Sequence, residues 1–111
     1  MDFSKLTNLT TIDYGAFQNT GIKKVKSNTL VSIGTNAFNG NINLSEVDAS
    51  AVTNLSYSTF AGCTNLEKVS LSPSLSVTPS YCFSGCYSLK EIDLTNVNYI
   101  GSYAFNNCYK L

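Results

Sequence analysis

The sequence predicts a repeat solenoid, in which short parallel strands stack as a sheet on one face, with turns and short strands or 3-10 segments on the other. Two observations carry this prediction. Phenylalanines recur at spacings of 21, 22, 23 and 22 residues, and apolar residues keep the same offsets around each of them. A unit of about 22 residues is too short to bury its own apolar face, so successive units must stack and bury each other. The five phenylalanines are Phe17, Phe38, Phe60, Phe83 and Phe105.

The strands are predicted by segments with the pattern Leu-x-x-Val-x-Leu. In Leu66-Glu67-Lys68-Val69-Ser70-Leu71 the residues point alternately inward and outward, as in a strand with one buried face. Equivalent segments of successive repeats would pair as a parallel sheet with a spacing of roughly 4.8 Å. Glycine, asparagine, serine and proline occupy the returning segments. The fourth repeat departs from the others there, with an extra residue at Ser72-Pro73-Ser74 and with Thr78-Pro79 in place of the usual Ile-Gly.

These repeats predict a single domain of about five turns over residues 1–111. We expect an N-terminal flank at 1–8 followed by repeats at 9–29, 30–51, 52–74, 75–96 and 97–111. The last repeat stops at its first apolar strand position, Leu111, without a polar cap. The sequence is therefore expected to be a fragment of a longer chain, with an exposed last turn that frays or associates edge to edge with another copy.

Four phrases make a family resemblance visible. They are Ile33-Gly34-Thr35-Asn36-Ala37-Phe38, Phe60-Ala61-Gly62-Cys63-Thr64-Asn65-Leu66, Phe83-Ser84-Gly85-Cys86-Tyr87-Ser88-Leu89 and Ile100-Gly101-Ser102-Tyr103-Ala104-Phe105. This pattern resembles the BspA-like class of leucine-rich repeats, and the resemblance covers about residues 9–111. It implies a right-handed, α/β-horseshoe-like leucine-rich-repeat solenoid. It also implies a surface or secreted protein of bacteria or of parasitic or commensal protists, some of which adhere to host proteins.

The composition argues against several classes of function. Lysine and arginine together number 7, aspartate and glutamate number 7, and every basic residue is a lysine. This balance lacks the basic surplus of a nucleic-acid-binding protein. Histidine is absent, as is any phosphate-binding glycine loop, so we expect neither an enzyme nor a metal or cofactor site. The segment holds no targeting signal and no apolar run of about 18 residues that would insert in a membrane.

Charged residues stand at equivalent outward positions of the predicted strands and alternate in sign. One interpretation is that they neutralise each other and fix the strand register. The other is that they form a protein-binding face, as extended sheet faces do in other repeat proteins. The residues of this candidate face are Lys24, Lys26, Glu46, Asp48, Lys68, Ser70, Glu91 and Asp93.

Tyrosines form a second candidate surface in the returning loops. Tyr81 and Tyr103 share one offset before their phenylalanines, and Tyr87 and Tyr109 share one offset after them. Tyrosine offers contact area and a hydrogen bond at low entropic cost, which favours loop contacts with a partner. The alternative is that the rings simply pack over the turns beneath them.

Three of the four cysteines share one column, three residues after the phenylalanine: Cys63, Cys86 and Cys108. Cys82 replaces the small residue before Phe83. Their spacing matches the repeat and no zinc pattern. We expect reduced thiols shielded in the core, with disulfides as the alternative.

These observations favour a protein-binding module of a cell-surface protein that adheres to host or matrix proteins. The alternatives are an intracellular repeat scaffold and a structural spacer without a ligand of its own.

Overall fold

The computed structural model describes all residues, 1–111, and contains eight short β-strands and no helix. The strands are β1 (Thr11–Ile12), β2 (Lys24–Ser27), β3 (Ser32–Ile33), β4 (Glu46–Ala49), β5 (Lys68–Ser70), β6 (Val77–Thr78), β7 (Glu91–Ile92) and β8 (Tyr99–Ile100). Every strand pair is parallel, and each strand pairs with its equivalent in a neighbouring repeat. The predicted solenoid of stacked parallel strands is therefore confirmed.

The main sheet runs along one side of the solenoid in the order β2-β4-β5-β7. Its valines share one register position, with Val25 opposite Val47 and Val47 opposite Val69. All three are buried, while their neighbours along the strand reach the outer surface. This two-residue alternation is the reason that the segments adopt strands, because it gives the sheet one apolar face and one polar face.

The other side of the solenoid consists of turns and two-residue strands, without 3-10 segments. These strands form two separate sheets, β1-β3 and β6-β8. A single bridge between Ser32 and Asn54 continues the first of them into the third turn. The third and fourth turns have no such pairing on this side, so the ladder of strand pairs is interrupted near the middle of the molecule.

Stacked phenylalanine rings run through the core. Neighbouring rings from Phe17 to Phe105 have centroids 5.4 to 5.6 Å apart, and their planes differ by only 5 to 11°. Phe38, Phe60 and Phe83 are fully buried, whereas the rings at the two ends of this ladder are partly exposed. The ladder is flanked by buried aliphatic columns such as Leu44, Leu66 and Leu89. The apolar columns seen in the sequence are thus the core.

The turn around each phenylalanine repeats the same backbone conformation. The residue two places before it has φ between 55 and 61° in every repeat: Gly15, Asn36, Ser58, Tyr81 and Tyr103. The residue two places after it is also left-handed, and Gly62 illustrates this position with a φ of 73°. Alternate amides in these turns point along the solenoid axis, as in the bond from Phe38 N–H to Thr59 O at 2.9 Å. The turns therefore stack through a hydrogen-bond ladder of their own.

The N-terminal residues extend the main sheet by one partial rung. Asp2 bridges Lys26 in parallel, and Phe3 N–H donates to Lys26 O at 2.8 Å. The Phe3 ring is buried against Phe17, with the ring centroids 5.7 Å apart. Leu6 is exposed.

Candidate binding surfaces

The predicted charged face exists as one surface on the main sheet. The register places Lys24 beside Glu46, Glu46 beside Lys68, and Lys68 beside Glu91. Ion pairs join Lys24 to Glu46 at 4.0 Å and Lys68 to Glu91 at 3.9 Å. All four side chains are well exposed, so each pair is worth little in stability. Their main effect is to oppose unlike charges across neighbouring strands, which disfavours other registers.

The second outward column lies beside the first. Lys26 stands opposite Asp48, and Asp48 stands opposite Ser70. Asp93 follows β7, and its carboxylate accepts a hydrogen bond from Thr95 N–H at 2.9 Å. Bonds from Thr95 lower the pKa of Asp93 below its ordinary value. The structure thus brings all eight predicted residues onto one surface.

A shallow recess of about 550 Å³ opens on this charged face between β5 and β7. Its walls include Lys68 and Glu91, which pair with each other, and Ser70 and Asp93. Close by, Lys90 pairs with Glu67 at 3.9 Å. The charges around the recess are therefore largely matched within the chain, and the surface has no strong sign of its own.

The predicted loop tyrosines stack in two pairs. The Tyr81 and Tyr103 rings have centroids 5.2 Å apart, and the Tyr87 and Tyr109 rings have centroids 5.5 Å apart. The four tyrosines remain between 45% and 72% exposed, so the stacked rings are accessible at the surface. Each pair is a stack of two aromatic rings on the surface of the last two turns.

Tyr81 and Tyr103 also occupy a left-handed backbone position, with φ of 59 and 58°. The same column holds Gly15, Asn36 and Ser58 in the earlier turns. A bulky side chain is rarely found in this conformation, because its Cβ crowds the backbone. The left-handed conformation is required by the turn in every repeat, so the two tyrosines occupy it at some cost in backbone strain.

The cysteine column is a packing feature. Cys63, Cys86 and Cys108 each place Sγ 3.2 Å from the carbonyl oxygen of the phenylalanine one turn earlier, to which the thiol donates. All four cysteines are free thiols, and Cys63, Cys82 and Cys86 are buried. Burial raises the pKa of Cys63 and of Cys82 to about 12, and it raises the pKa of Cys86 and Cys108 as well. Thiols this hard to ionise are poor nucleophiles.

Asn41 occupies the same column in the second turn and performs the same task with an amide. Its Nδ2 donates to Phe17 O at 2.7 Å and to Phe38 O at 2.9 Å, while its Oδ1 accepts from Thr20 and Ile22 N–H groups, each at 3.2 Å. It is fully buried and fully partnered. No three Cys, Asp or Glu side chains come together as a metal-binding group.

One surface feature was missed in the sequence analysis. On the side opposite the main sheet, a recess of about 320 Å³ lies where the strand pairing is interrupted. It is lined by Leu55, Ser56, Tyr57, Val77, Pro79, Ser80 and Tyr99. The departure at Thr78-Pro79 was the available signal, although it gave no indication that an opening would result.

The fold and these surfaces define a leucine-rich-repeat solenoid, and comparison with known proteins identifies the family. Six copies of the BspA type leucine-rich repeat region match residues 2–111. The chain therefore belongs to the BspA-type leucine-rich repeat family. A comparison with curated proteins found no match.

Solved structures of bacterial leucine-rich repeat proteins are similar to this chain. A T. pallidum leucine-rich repeat protein is 26% identical with a TM-score of 0.82, over 92% of this chain and 50% of that one. A leucine-rich repeat protein from Bacteroides ovatus is 28% identical with a TM-score of 0.79, over 95% of this chain and 28% of that one. This chain thus spans half or less of the length of these relatives.

A leucine-rich cell surface protein from Faecalibacterium prausnitzii shares the fold, with 21% identity and a TM-score of 0.54 over 92% of this chain and 41% of that one. In the present chain, no helix has the length and apolar character that a membrane crossing requires.

Proposed function

We propose that this chain is a protein-binding module of a cell-surface protein, and that it contacts its partner through the stacked tyrosines. The proposal rests on the two exposed stacks of tyrosine rings, Tyr81–Tyr103 and Tyr87–Tyr109. Stacking fixes each ring before a partner arrives, so little side-chain entropy remains to be lost on binding. A tyrosine surface also supplies a hydroxyl for hydrogen bonding.

The charged face of the main sheet is the second candidate contact surface. Its support is geometric, because all eight residues share one extended face of the kind that repeat proteins use for binding. Its disadvantage is that the best-placed charges already pair with each other, as Lys68 does with Glu91. A partner must displace those ion pairs or bind around them. The stacked tyrosines are therefore favoured as the contact surface.

We further propose that the partner is a host or matrix protein, to which this module adheres. The support for adhesion is membership of the BspA-type family together with the cell-surface description of the Faecalibacterium prausnitzii protein. A surface that is neutral overall and rich in tyrosine fits recognition of another protein better than recognition of nucleic acid. The chain contains no histidine, and burial raises the pKa of the Cys63 thiol to about 12, so these two residue types offer little support for an enzymatic role.

The contact surface is tested by measuring binding of the purified chain to a panel of extracellular matrix and serum proteins by surface plasmon resonance. We expect Tyr81→Ser with Tyr103→Ser to weaken binding at least about tenfold, as loss of an aromatic hot spot does. Tyr14→Ser is the matched control, because Tyr14 is 72% exposed and belongs to neither stacked pair. Loss of binding in Lys68→Glu but not in the tyrosine variant would assign the site to the charged face instead.

Location is tested separately, with antibody staining of intact and permeabilised cells of the source organism. Staining of intact cells is the expected result. Staining only after permeabilisation would favour an intracellular scaffold and remove the adhesion proposal. Failure to bind any protein on the panel, combined with surface staining, would favour a structural spacer.

A further inference from the structure

The solenoid has a gap in its backbone pairing on the side opposite the main sheet. Between the first two turns Val31 N–H donates to Thr10 O at 2.8 Å, and between the last two Asn98 N–H donates to Ser76 O at 2.9 Å. No backbone hydrogen bond joins residues 53–57 of the third turn to residues 76–79 of the fourth. The break is local, because the turns are joined on either side of it, from Ser72 N–H to Val52 O at 3.0 Å and from Ser58 N–H to Ser80 O at 3.2 Å.

The gap is explained by the residue at one repeat position, the one that follows Ile33, Thr78 and Ile100. In the second and fifth turns that column holds Gly34 and Gly101, whose N–H groups donate to Ile12 O and Thr78 O. These glycines lie so close to the preceding turn that a Cβ on Gly101 would be 2.5 Å from Ser80 N. In the fourth turn the column holds Pro79, which has no N–H to donate and whose ring takes up the space. The backbone pairing between the two turns is therefore left open beside Pro79, although hydrogen bonds on either side keep the turns in the stack.

The resulting recess has an uncharged, partly aromatic lining. Tyr57 and Tyr99 stand at its walls and are 62% and 60% exposed. Its volume of about 320 Å³ is at the small end of the range of ~300–1,000 Å³ usual for ligand sites. No Lys, Asp or Glu lines it, so it does not select a charged ligand.

The recess also presents polar groups that have no partner within the protein. Neither Leu55 N–H nor Leu55 O takes part in a backbone hydrogen bond, and the Ser80 hydroxyl is likewise unpaired. An apolar side chain placed over these groups would strip their water without replacing its hydrogen bonds, which is unfavourable for each group buried. The occupant must therefore offer hydrogen-bonding groups as well as an apolar face.

A peptide strand does not meet the geometry. Inserting a strand between two turns needs two strand spacings of roughly 4.8 Å each. The flanking bonds at Ser72 and Ser58 hold the third and fourth turns one spacing apart. A compact, neutral ring with an apolar face and hydroxyls around its edge suits the lining, because it can lie against the exposed tyrosines at the mouth of the recess without separating the two turns.

We propose that this recess, hereafter the Tyr57–Tyr99 recess, binds a neutral hexopyranose unit of a glycan. The sugar's C–H face packs on the tyrosine rings, and its hydroxyls bond to the unpaired Leu55 and Ser80 groups. The site is separate from the stacked tyrosines of the proposed protein contact, since none of those four residues lines it.

The probes are a panel of methyl hexopyranosides and their β-linked and α-linked disaccharides, titrated into the ¹⁵N-labelled chain and followed by amide shifts. We expect saturable shifts at Leu55, Ser80 and Tyr99 for at least one sugar. Tyr99→Ser should weaken that binding about tenfold, because the contact between the aromatic ring and the C–H face of the sugar is lost. Tyr14→Ser removes an exposed tyrosine that lies outside the recess and outside the stacked pairs, and it should leave sugar binding unchanged.

Pro79→Gly tests the cause of the site. Glycine restores the column of Gly34 and Gly101, so the turns should close, the amide introduced at position 79 should become protected from hydrogen exchange, and sugar binding should be lost. The proposal is overturned if no sugar on the panel produces saturable shifts, if the shifts map elsewhere, or if N-acetyl-tyrosine amide binds the recess and the sugars do not. It is also overturned if a protected amide at position 79 of this variant coexists with undiminished binding.

Discussion

At the scale of single residues, the phenylalanine ladder carries much of the stability. Phe60 is fully buried and contacts rings on both sides, with centroids 5.6 Å from Phe38 and 5.4 Å from Phe83. Phe60→Ala should lower the free energy of unfolding by roughly 3–5 kcal/mol, since it removes apolar contacts and leaves a cavity. Urea denaturation followed by circular dichroism measures the change. Phe105→Ala should cost less, because Phe105 is partly exposed; equal costs would contradict the burial gradient along the ladder.

Thr78 is a residue that destabilises the fold through a buried, unpaired hydroxyl. Thr78 stands in a column otherwise occupied by isoleucine or leucine, is fully buried, and has a hydroxyl without any hydrogen-bond partner. Thr78→Val should raise the free energy of unfolding by about 1 kcal/mol, because it removes an unpaired polar group and preserves shape. The same urea measurement serves here.

Thr59→Val is the matched control for that substitution. Thr59 is also buried, but its Oγ1 lies 2.9 Å from Ser56 O and accepts from Ser56 N–H at 3.2 Å. Removing this hydroxyl should lower stability by about 1 kcal/mol or more, since partners are then left unpaired. If both variants shifted stability in the same direction, the contrast between the two hydroxyls would be wrong.

At the scale of elements, the main sheet depends on charge order across its strands. Lys68→Glu would place three carboxylates in a row, at Glu46, position 68 and Glu91. Opposed charges across strands are worth roughly 0.2–1 kcal/mol, so stability should fall by about that amount for each of the two contacts. The loss should shrink in high salt, because the groups are exposed and screened.

The control for that variant is Lys5→Glu, which makes the same change in net charge away from the sheet. Unfolding in urea at low salt and at about 1 M salt separates the two. A loss of stability in Lys5→Glu as large as in Lys68→Glu would indicate a general charge effect and would contradict the role assigned to strand register.

The elements also show how far sequence reasoning reaches. The columns around Phe38, Phe60 and Phe83 predicted the core and the strand register, because an apolar column has only one way to be buried in a stack. Seven charged residues and Ser70 were placed on one face for the same reason. The Tyr57–Tyr99 recess was beyond reach, since it depends on a hydrogen bond that Pro79 cannot make and on a distance between two turns. The spacing of apolar residues indicates neither the missing hydrogen bond nor the distance between the two turns.

At the scale of the whole molecule, the solenoid is asymmetric along its axis. Tyrosines at 81, 87, 99, 103 and 109 concentrate in the last two turns, whereas Tyr14 and Tyr57 are the only ones before them. The core shifts in parallel, from an amide at Asn41 to thiols at Cys63 and Cys86. The later turns thus combine a column of buried thiols in the core with an aromatic exterior, and the stacked tyrosines and the recess lie at that end.

The thiols make the stability of the whole molecule depend on pH. Burial raises the pKa of Cys63 and Cys82 from 9.0 to about 12. Below pH 9 these thiols are protonated in both the folded and the unfolded chain, so their full contribution to stability is present. Between pH 9 and about 12 only the unfolded chain releases the protons, and stability falls by about 1 kcal/mol per pH unit for each thiol.

Urea denaturation at pH 8, 9, 10 and 11 measures this decline, and Cys82→Ala isolates one thiol. Alanine is a natural occupant of that column, as at Ala37 and Ala104, so the turn accepts it. The loss of the buried sulfur lowers stability at every pH, and only the slope above pH 9 reports the ionisable group. The stability of the variant should fall less steeply above pH 9 than that of the unmodified chain. Because a thiol reagent reacts with the thiolate, the three buried thiols of the native protein should also titrate slowly at pH 8 and completely in urea. Cys108 is half-buried and should react before them, which corrects the expectation that all four thiols are shielded. Parallel pH profiles for the two chains, together with rapid labelling of all four thiols in the native protein, would mean that Cys82 is accessible to solvent.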